Sequence, residues 1–260
     1  MDSNLSIKPE ICNFVILFDG RVGSTHLVST LNQHSNILCY HEIFADNKHE
    51  ERHIFQSFLN RDSVLSKTWL DAMNSIDPFL SNSEKIGAFG FKVKISDIIG
   101  LDDFADFLVT NNFKVIHLYR RNIIKSLVST FNGLKLSNKN NGHWNIHSSE
   151  STSLGQITID PLEFNKWFFG RVLCERVTQD FVQDLPLDVL RLSYEDLFSE
   201  HQVSIKRVLN FLGFENSNLK GNFKKITSDD LSKAVSNLTE IKALFPKEHP
   251  QLKFFRKYFE

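Results

Sequence analysis

Along the chain, short unbroken apolar runs alternate with stretches in which apolar residues return every three or four positions. Phe14-Val15-Ile16-Leu17-Phe18 is one such run, bounded by Asn13 and by Asp19-Gly20. A strand buried on both faces of a parallel sheet reads this way. From Ser24 the spacing turns helical, with Leu27, Val28 and Leu31 on one face. Ile37-Leu38-Cys39-Tyr40 predicts a second strand. Residues 50–75, carrying Ile54, Phe55, Phe58, Leu59 and Leu65, predict a helix. AFGFKVKI, residues 88–95, alternates like a strand, and KVIHLY, residues 114–119, is another. Ile123, Ile124, Leu127, Val128 and Phe131 then mark the apolar stripe of a following helix. Residues 161–181 open on a proline, which suits a helix's first turn, and carry Trp167, Phe168, Val172, Leu173 and Val177. Residues 188–192 predict a last strand, and helices dominate the remainder of the chain. This alternation predicts an α/β fold around a parallel sheet. Residues 132–157 interrupt it: they are polar, rich in Asn, Ser and Gly, and predict a flexible loop on the substrate side.

Composition narrows the picture. A chain of 260 residues, 41% hydrophobic, can bury a sizeable core, and residues 1–260 read as one domain. Thirty Lys and Arg against 31 Asp and Glu leave a net charge of -1, which argues against a general nucleic-acid or membrane-surface role. Three widely spaced cysteines, Cys12, Cys39 and Cys174, read as reduced thiols. The first residues, MDSNLSIKPEIC, show neither a basic nor an apolar leader region, so a cytoplasmic protein is expected. No apolar run approaches the roughly 18 residues of a membrane span.

The segment FDGRVGSTHL follows the first strand and opens the first helix. A strand that runs through a glycine-rich turn into a helix aims backbone N–H groups, at a partly positive helix end, toward an anion. Gly20 and Gly23 permit close approach, Ser24 and Thr25 add hydroxyls, and Arg21 adds a planar cation. A Walker A loop needs a lysine immediately before its Ser or Thr; here that residue is Gly23, so a magnesium–triphosphate site is disfavoured. Taken alone, such a loop reads better as a turn with no ligand, because short glycine motifs match often by chance.

Together with its continuation LNQHSNILCYHEIF, the loop resembles the 5′-phosphosulfate loop of sulfotransferases that use 3′-phosphoadenosine 5′-phosphosulfate (PAPS). The likeness is nearest to the carbohydrate and bacterial branches. VIHLYRRNIIKSLVS, residues 115–129, resembles a second motif of that superfamily, and LRLSYEDLFSE, residues 190–200, a third. The resemblance implies a three-layer P-loop-type fold, with a central parallel sheet flanked by helices. It implies an enzyme that moves a sulfuryl group from PAPS to a hydroxyl of a carbohydrate or other alcohol, releases 3′-phosphoadenosine 5′-phosphate (PAP) and needs no metal. Gly20, Arg21, Val22, Gly23, Ser24, Thr25 and His26 would hold the phosphosulfate, and Arg121 with Ser129 the 3′-phosphate, with Arg120 in place of Arg121 if the register shifts by one. Val22 stands where many members carry a hydroxyl. The glycine-rich 3′-phosphate loop of the phenol and steroid enzymes is missing.

The acceptor's proton needs a base. Glu42, just past the second strand, takes that role by resemblance, with a pKa raised by partial burial; His41 is the second choice. Arg21 would stabilise charge on the transferring group. Lys92 or Lys94 could face the site, but a lysine on a strand more often belongs to a solvated edge, and that reading is favoured. A competing motif is His49-Glu50-Glu51-Arg52-His53, which satisfies H-E-x-x-H and suggests a zinc hydrolase. Its neighbours Asp46, Asn47, Lys48, Glu51 and Arg52 make the turn almost wholly polar, which favours a solvated surface turn. A nucleotide-binding module without turnover is a third reading.

Overall fold

In the computed structural model, residues 11–42, 86–98, 100–139, 155–221, 228 and 230–259 are described. The predicted helix over residues 50–75 and the H-E-x-x-H motif lie outside them.

Five strands form one sheet in the order β2-β3-β1-β4-β5, and every pairing in it is parallel. They are β1 (Cys12–Phe18), β2 (Ile37–Glu42), β3 (Ala88–Val93), β4 (Lys114–Tyr119) and β5 (Val189–Ser193). The helices over the described residues are α1 (Ser24–Leu31), α2 (Leu101–Thr110), α3 (Ile123–Lys139), α4 (Pro161–Asp184), α5 (Tyr194–Ser199), α6 (His201–Leu212), α7 (Leu231–Ala234) and α8 (Leu238–Ala243). A 3-10 segment, Leu252–Phe259, comes last.

β1 is buried on both faces, as its unbroken apolar run requires. Phe14, Ile16 and Phe18 pack with α1 and α6, through Leu27, Val28, Ile205 and Leu209. Val15 and Leu17 face the other way, onto Phe104 and Leu108 of α2 and Val182 of α4. A third core joins Ile124 and Leu127 of α3 to Phe164 and Phe168 of α4, and to Phe245 and Phe259 near the chain end. α4 therefore serves two cores. Its first half packs in the third core and its second half covers the sheet, and Arg171 and Glu175 lie where it passes from one to the other. Asp160 caps the helix, its side chain accepting from the Leu162 N–H, with Pro161 behind it.

One element differs from its expectation. Residues 132–139 are not loop: α3 continues to Lys139. Leu136 is buried, so tertiary packing outweighs the local polar composition. The stretch 140–154 of the expected loop lies outside the described residues, and Ile157 bridges to Val235.

Candidate active site

The site forms at the carboxyl end of β1, where the chain turns into α1 between β3 and β4. Gly23 adopts φ +83°, a left-handed conformation open to glycine, and a Cβ there would lie 2.9 Å from the Phe198 ring. Arg21 also sits at positive φ, 66°. That is uncommon for a residue with a side chain and costs roughly 1–2 kcal/mol. The first turn of α1 has no side-chain cap, so its amides face the loop as donors. Val22 turns its side chain into the core, leaving the backbone as its contribution to the loop.

Buried basic groups surround this turn. The Arg21 Nε donates to Ser129 Oγ at 3.1 Å. Burial and the neighbouring Arg120 pull the Arg21 guanidinium down to about 10, with Tyr194 opposing and Arg171 adding to the fall. Arg120 is 7% exposed, lies 4.1 Å over the Tyr194 ring and donates from Nη1 to the Arg21 carbonyl at 3.2 Å. Arg171 of α4 donates from Nη1 to the Gly20 carbonyl at 2.7 Å, and Ser126 Oγ donates to the same carbonyl at 3.2 Å. The loop is thus held through its Gly20 and Arg21 carbonyls.

Lys92 is the largest departure from the sequence reading. It belongs to no solvated edge: it is 2% exposed, in a strand that is buried throughout. Its Nζ donates to Thr25 Oγ1 at 2.9 Å and to Ser24 Oγ at 3.4 Å, and pairs with Glu42 Oε1 at 3.0 Å. The lysine absent from the loop is supplied to its hydroxyls from the neighbouring strand. Burial pulls the Lys92 ammonium below the usual lysine range, and Glu42 opposes that. A lysine inside an otherwise apolar strand was the one available signal.

Glu42 is placed beside the loop, but its electrostatics reverse the expectation of a raised pKa. Burial pushes its carboxyl up; Lys92 and Lys94 overcome this and hold it at about 2. Lys94 Nζ donates to Glu42 Oε2 at 2.7 Å. The β2–β3 register, which shifts at Glu42, sets Glu42 beside Lys92. His41, the next residue back, is exposed. His26 is half-buried, its ring 4.8 Å from that of Phe198 and 5.2 Å from that of His201.

Arg121 does not turn toward the loop. Its side chain is 53% exposed and pairs with Asp196 and Glu195, while Glu195 also accepts from the Arg121 and Asn122 amides. The inward place at the end of β4 belongs to Arg120, one residue earlier. The spacing to Ser129 that singled out Arg121 is kept in sequence without the two side chains meeting, because Ser129 engages Arg21.

On the α4 side of the loop, Asp19, Val22, Arg120, Arg171 and Glu175 line a small pocket, together with Tyr119, Ile123 and Ser126. Burial and the Asp19 charge raise Glu175 to about 7, against the pull of Arg171 and with a further push from Glu195. Asp19 is itself raised by burial, with Arg171 and Lys94 opposing. Neither carboxylate was singled out from the sequence. Glu175 is one of several charges on an amphipathic helix, and its partner Asp19 is far away along the chain.

A sulfotransferase domain profile matches residues 21–258. The chain belongs to the sulfotransferase family. It is an enzyme of that family. No curated protein matches the chain significantly. Among solved structures, the sulfotransferase domain of the curacin biosynthetic pathway is similar at 16% identity and a TM-score of 0.45, over 80% of this chain and 76% of that one. The sulfotransferase of Alicyclobacillus acidocaldarius is similar at 14% identity and a TM-score of 0.45, over 94% and 99%. A mouse sulfotransferase, SULT7A1, complexed with PAP, is similar at 12% identity and a TM-score of 0.44, over 82% and 63%. Among the described residues no helix is long and apolar enough to cross a membrane, and no group of three or more His, Cys, Asp or Glu is placed to hold a metal ion.

Proposed function

We propose that the protein transfers a sulfuryl group from PAPS to a hydroxyl of a carbohydrate or other alcohol. The observation that carries this reading is the buried Lys92 ammonium bonded to the Ser24 and Thr25 hydroxyls at the uncapped start of α1, just after the turn that carries Arg21. PAPS, when bound, supplies the sulfuryl group and leaves as PAP. Its phosphosulfate is a compact anion, and the donors fit one: backbone N–H groups of residues 23–25, two hydroxyls, a guanidinium and an ammonium. Gly23 fits as well, because a side chain there would crowd Phe198.

Lys92 and Arg21 flank the transferring group and stabilise charge that develops on it and on the departing phosphate. Glu42 fixes the Lys92 ammonium in place. A carboxylate held at about 2 is a weak base, so in this reading Glu42 is the counter-ion of Lys92. Ser129 and Arg120 stand nearest the loop on the β4 side and are assigned to the 3′-phosphate. Arg121 would first have to leave Asp196. A cytoplasmic setting accords with the free thiols of Cys12, Cys39 and Cys174.

Calorimetric titration of the purified protein with PAP, AMP and ATP tests the proposal. PAP should bind at least about tenfold more tightly than AMP, because a desolvated charge-assisted contact to the 3′-phosphate contributes roughly 1.5–3 kcal/mol. Equal affinity for PAP and AMP would overturn it.

A further inference from the structure

We infer that Glu175 takes the proton of the acceptor hydroxyl, from a pocket between the anion loop and the middle of α4, and that Asp19 is the charge that sets its basicity. This rests on the sulfotransfer reading above.

The geometry is that of one pocket with two kinds of wall. Val22 brings to it the anion loop and Arg120 the end of β4; Arg171 and Glu175 bring α4. Arg171 ties the two together. It reaches from the turn of α4 before Glu175 to the Gly20 carbonyl, and its Nη2 also donates to Thr130 Oγ1 at 3.4 Å. A Cβ at Gly20 would stand 3.2 Å from that guanidinium, so the glycine permits the approach. Glu175 therefore has a fixed relation to the loop, through a residue one helical turn away.

The groups facing Glu175 explain its state. Asp19 from the end of β1 and Glu195 from α5 repel its charge; Arg171 on its own helix attracts it; burial disfavours it most. Burial raises the phenol of Tyr258, in the 3-10 segment, and the Glu175 charge adds to the rise. Gln179, the next turn of α4, donates to Glu175 Oε1 at 3.4 Å. Asp19 has two cations in reach, Arg171 and Lys94, where Glu175 has Arg171. Asp19 is thus the carboxylate that ionises first, and Glu175 the one that takes up a proton near neutral pH. A base works best when its pKa lies near the working pH.

In the transfer, the acceptor oxygen forms a bond to sulfur as sulfur's bond to the bridging oxygen breaks. The electron pair of that bond leaves on the phosphate of PAP. The hydroxyl proton passes to a Glu175 carboxylate oxygen, which later loses it to water. No other reactant is needed.

Two measurements test this. The first is a carbon-13 NMR titration of the glutamate carboxyls without nucleotide, the Glu175 signal assigned by its loss in Glu175→Gln. A midpoint near 7 is expected, falling clearly in Asp19→Asn. A midpoint in the ordinary glutamate range, or one indifferent to Asp19→Asn, would overturn the inference. The second is PAP release from PAPS with water as the acceptor. Glu175→Gln should lower the rate by roughly 10²–10⁴ and abolish the acidic limb of the pH profile, with PAP affinity kept. Asp19→Asn, which leaves Glu175 in place, should move that limb to lower pH. A Glu175→Gln profile that keeps the wild-type limb sinks the assignment even where the nucleotide reading holds. A wild-type protein that does not prefer PAP to AMP sinks the nucleotide reading instead.

Discussion

Two glutamates flank the same anion loop, and the fold treats them in opposite ways. Glu42, on the β2–β3 side, is gripped by two lysines and held at about 2. Glu175, on the α4 side, shares its pocket with a second carboxylate and is lifted to about 7. Both are largely withdrawn from water, so burial alone separates nothing. The sign of the neighbouring charge decides. Environments that push two like groups apart in this way divide labour between them: one carboxylate stays ionised and positions a cation, and the other can exchange a proton. The β2–β3 flank reads as the charge-stabilising side of the site and the α4 flank as the proton-handling side.

Removing Lys92 attacks the first half of that contrast and should have the largest effect. Lys92→Met takes the ammonium from the Ser24 and Thr25 hydroxyls and leaves Glu42 buried without that partner. Loss of one preorganised charge donor costs roughly 10²–10³ in rate. Breaking a buried ion pair destabilises by roughly 3–5 kcal/mol. Steady-state kinetics on PAPS and urea unfolding read the two separately. Adding Glu42→Gln to Lys92→Met should restore much of the stability and none of the rate. A single variant with near wild-type turnover would strip the β2–β3 flank of its role.

The contrast is also one of sign in stability against pH. For Glu42 the folded pKa, about 2, lies below its ordinary 4.5, so its stabilisation is present above 4.5 and is lost as pH falls toward 2. Such a shift amounts to about 3 kcal/mol, and Glu42→Gln should therefore melt well below wild type at pH 7, with the gap closing in acid. For Glu175 the folded pKa, about 7, lies above 4.5, so its contribution is present below 4.5 and is lost as pH rises through 7. Glu175→Gln should melt above wild type at pH 8, by about 1–3 kcal/mol of stability, and match it near pH 4. Calorimetric scans across that range check both. Two gaps of the same sign would mean that the flanks do not differ as described.

How much of this could be read from the sequence depends on how far apart the deciding residues lie. β1, β4 and their following helices were legible because each is a local pattern: an unbroken apolar run, then a helical stripe. The loop was legible for the same reason, since Gly20 to Thr25 are contiguous. The charges that tune the site were not. Lys92 in AFGFKV looks like a solvated strand residue until β2 brings Glu42 beside it, and that pairing is fixed by sheet register. Glu175 gains its meaning from Asp19 across the fold. Local composition misled at residues 132–139, where a polar stretch extends a helix whose Leu136 reaches the core. In each case a non-local contact outvotes a local pattern.

The smallest expected effect separates the two arginines at the end of β4, and it bears on which flank the nucleotide's far end favours. Arg121 is 53% exposed and pairs with Asp196 and Glu195 at the surface. A pair so exposed contributes roughly 0–1 kcal/mol, so Arg121→Ala should scarcely change unfolding in urea. Its effect on PAP affinity should be equally slight if Arg120 and Ser129 hold the 3′-phosphate. Arg120→Ala is the counterpart: it removes the guanidinium over Tyr194 and the bond to the Arg21 carbonyl, and should weaken PAP by about tenfold or more while weakening AMP less. The informative quantity is the PAP-to-AMP affinity ratio for each variant, read by calorimetry, because a loosened loop would lower both affinities together. A ratio that collapses in Arg121→Ala and survives in Arg120→Ala would show that Arg121 leaves Asp196 on binding. The 3′-phosphate would then lie toward the surface and α5. A ratio that collapses only in Arg120→Ala would place it against the buried end of β4, close to the pocket that holds Glu175.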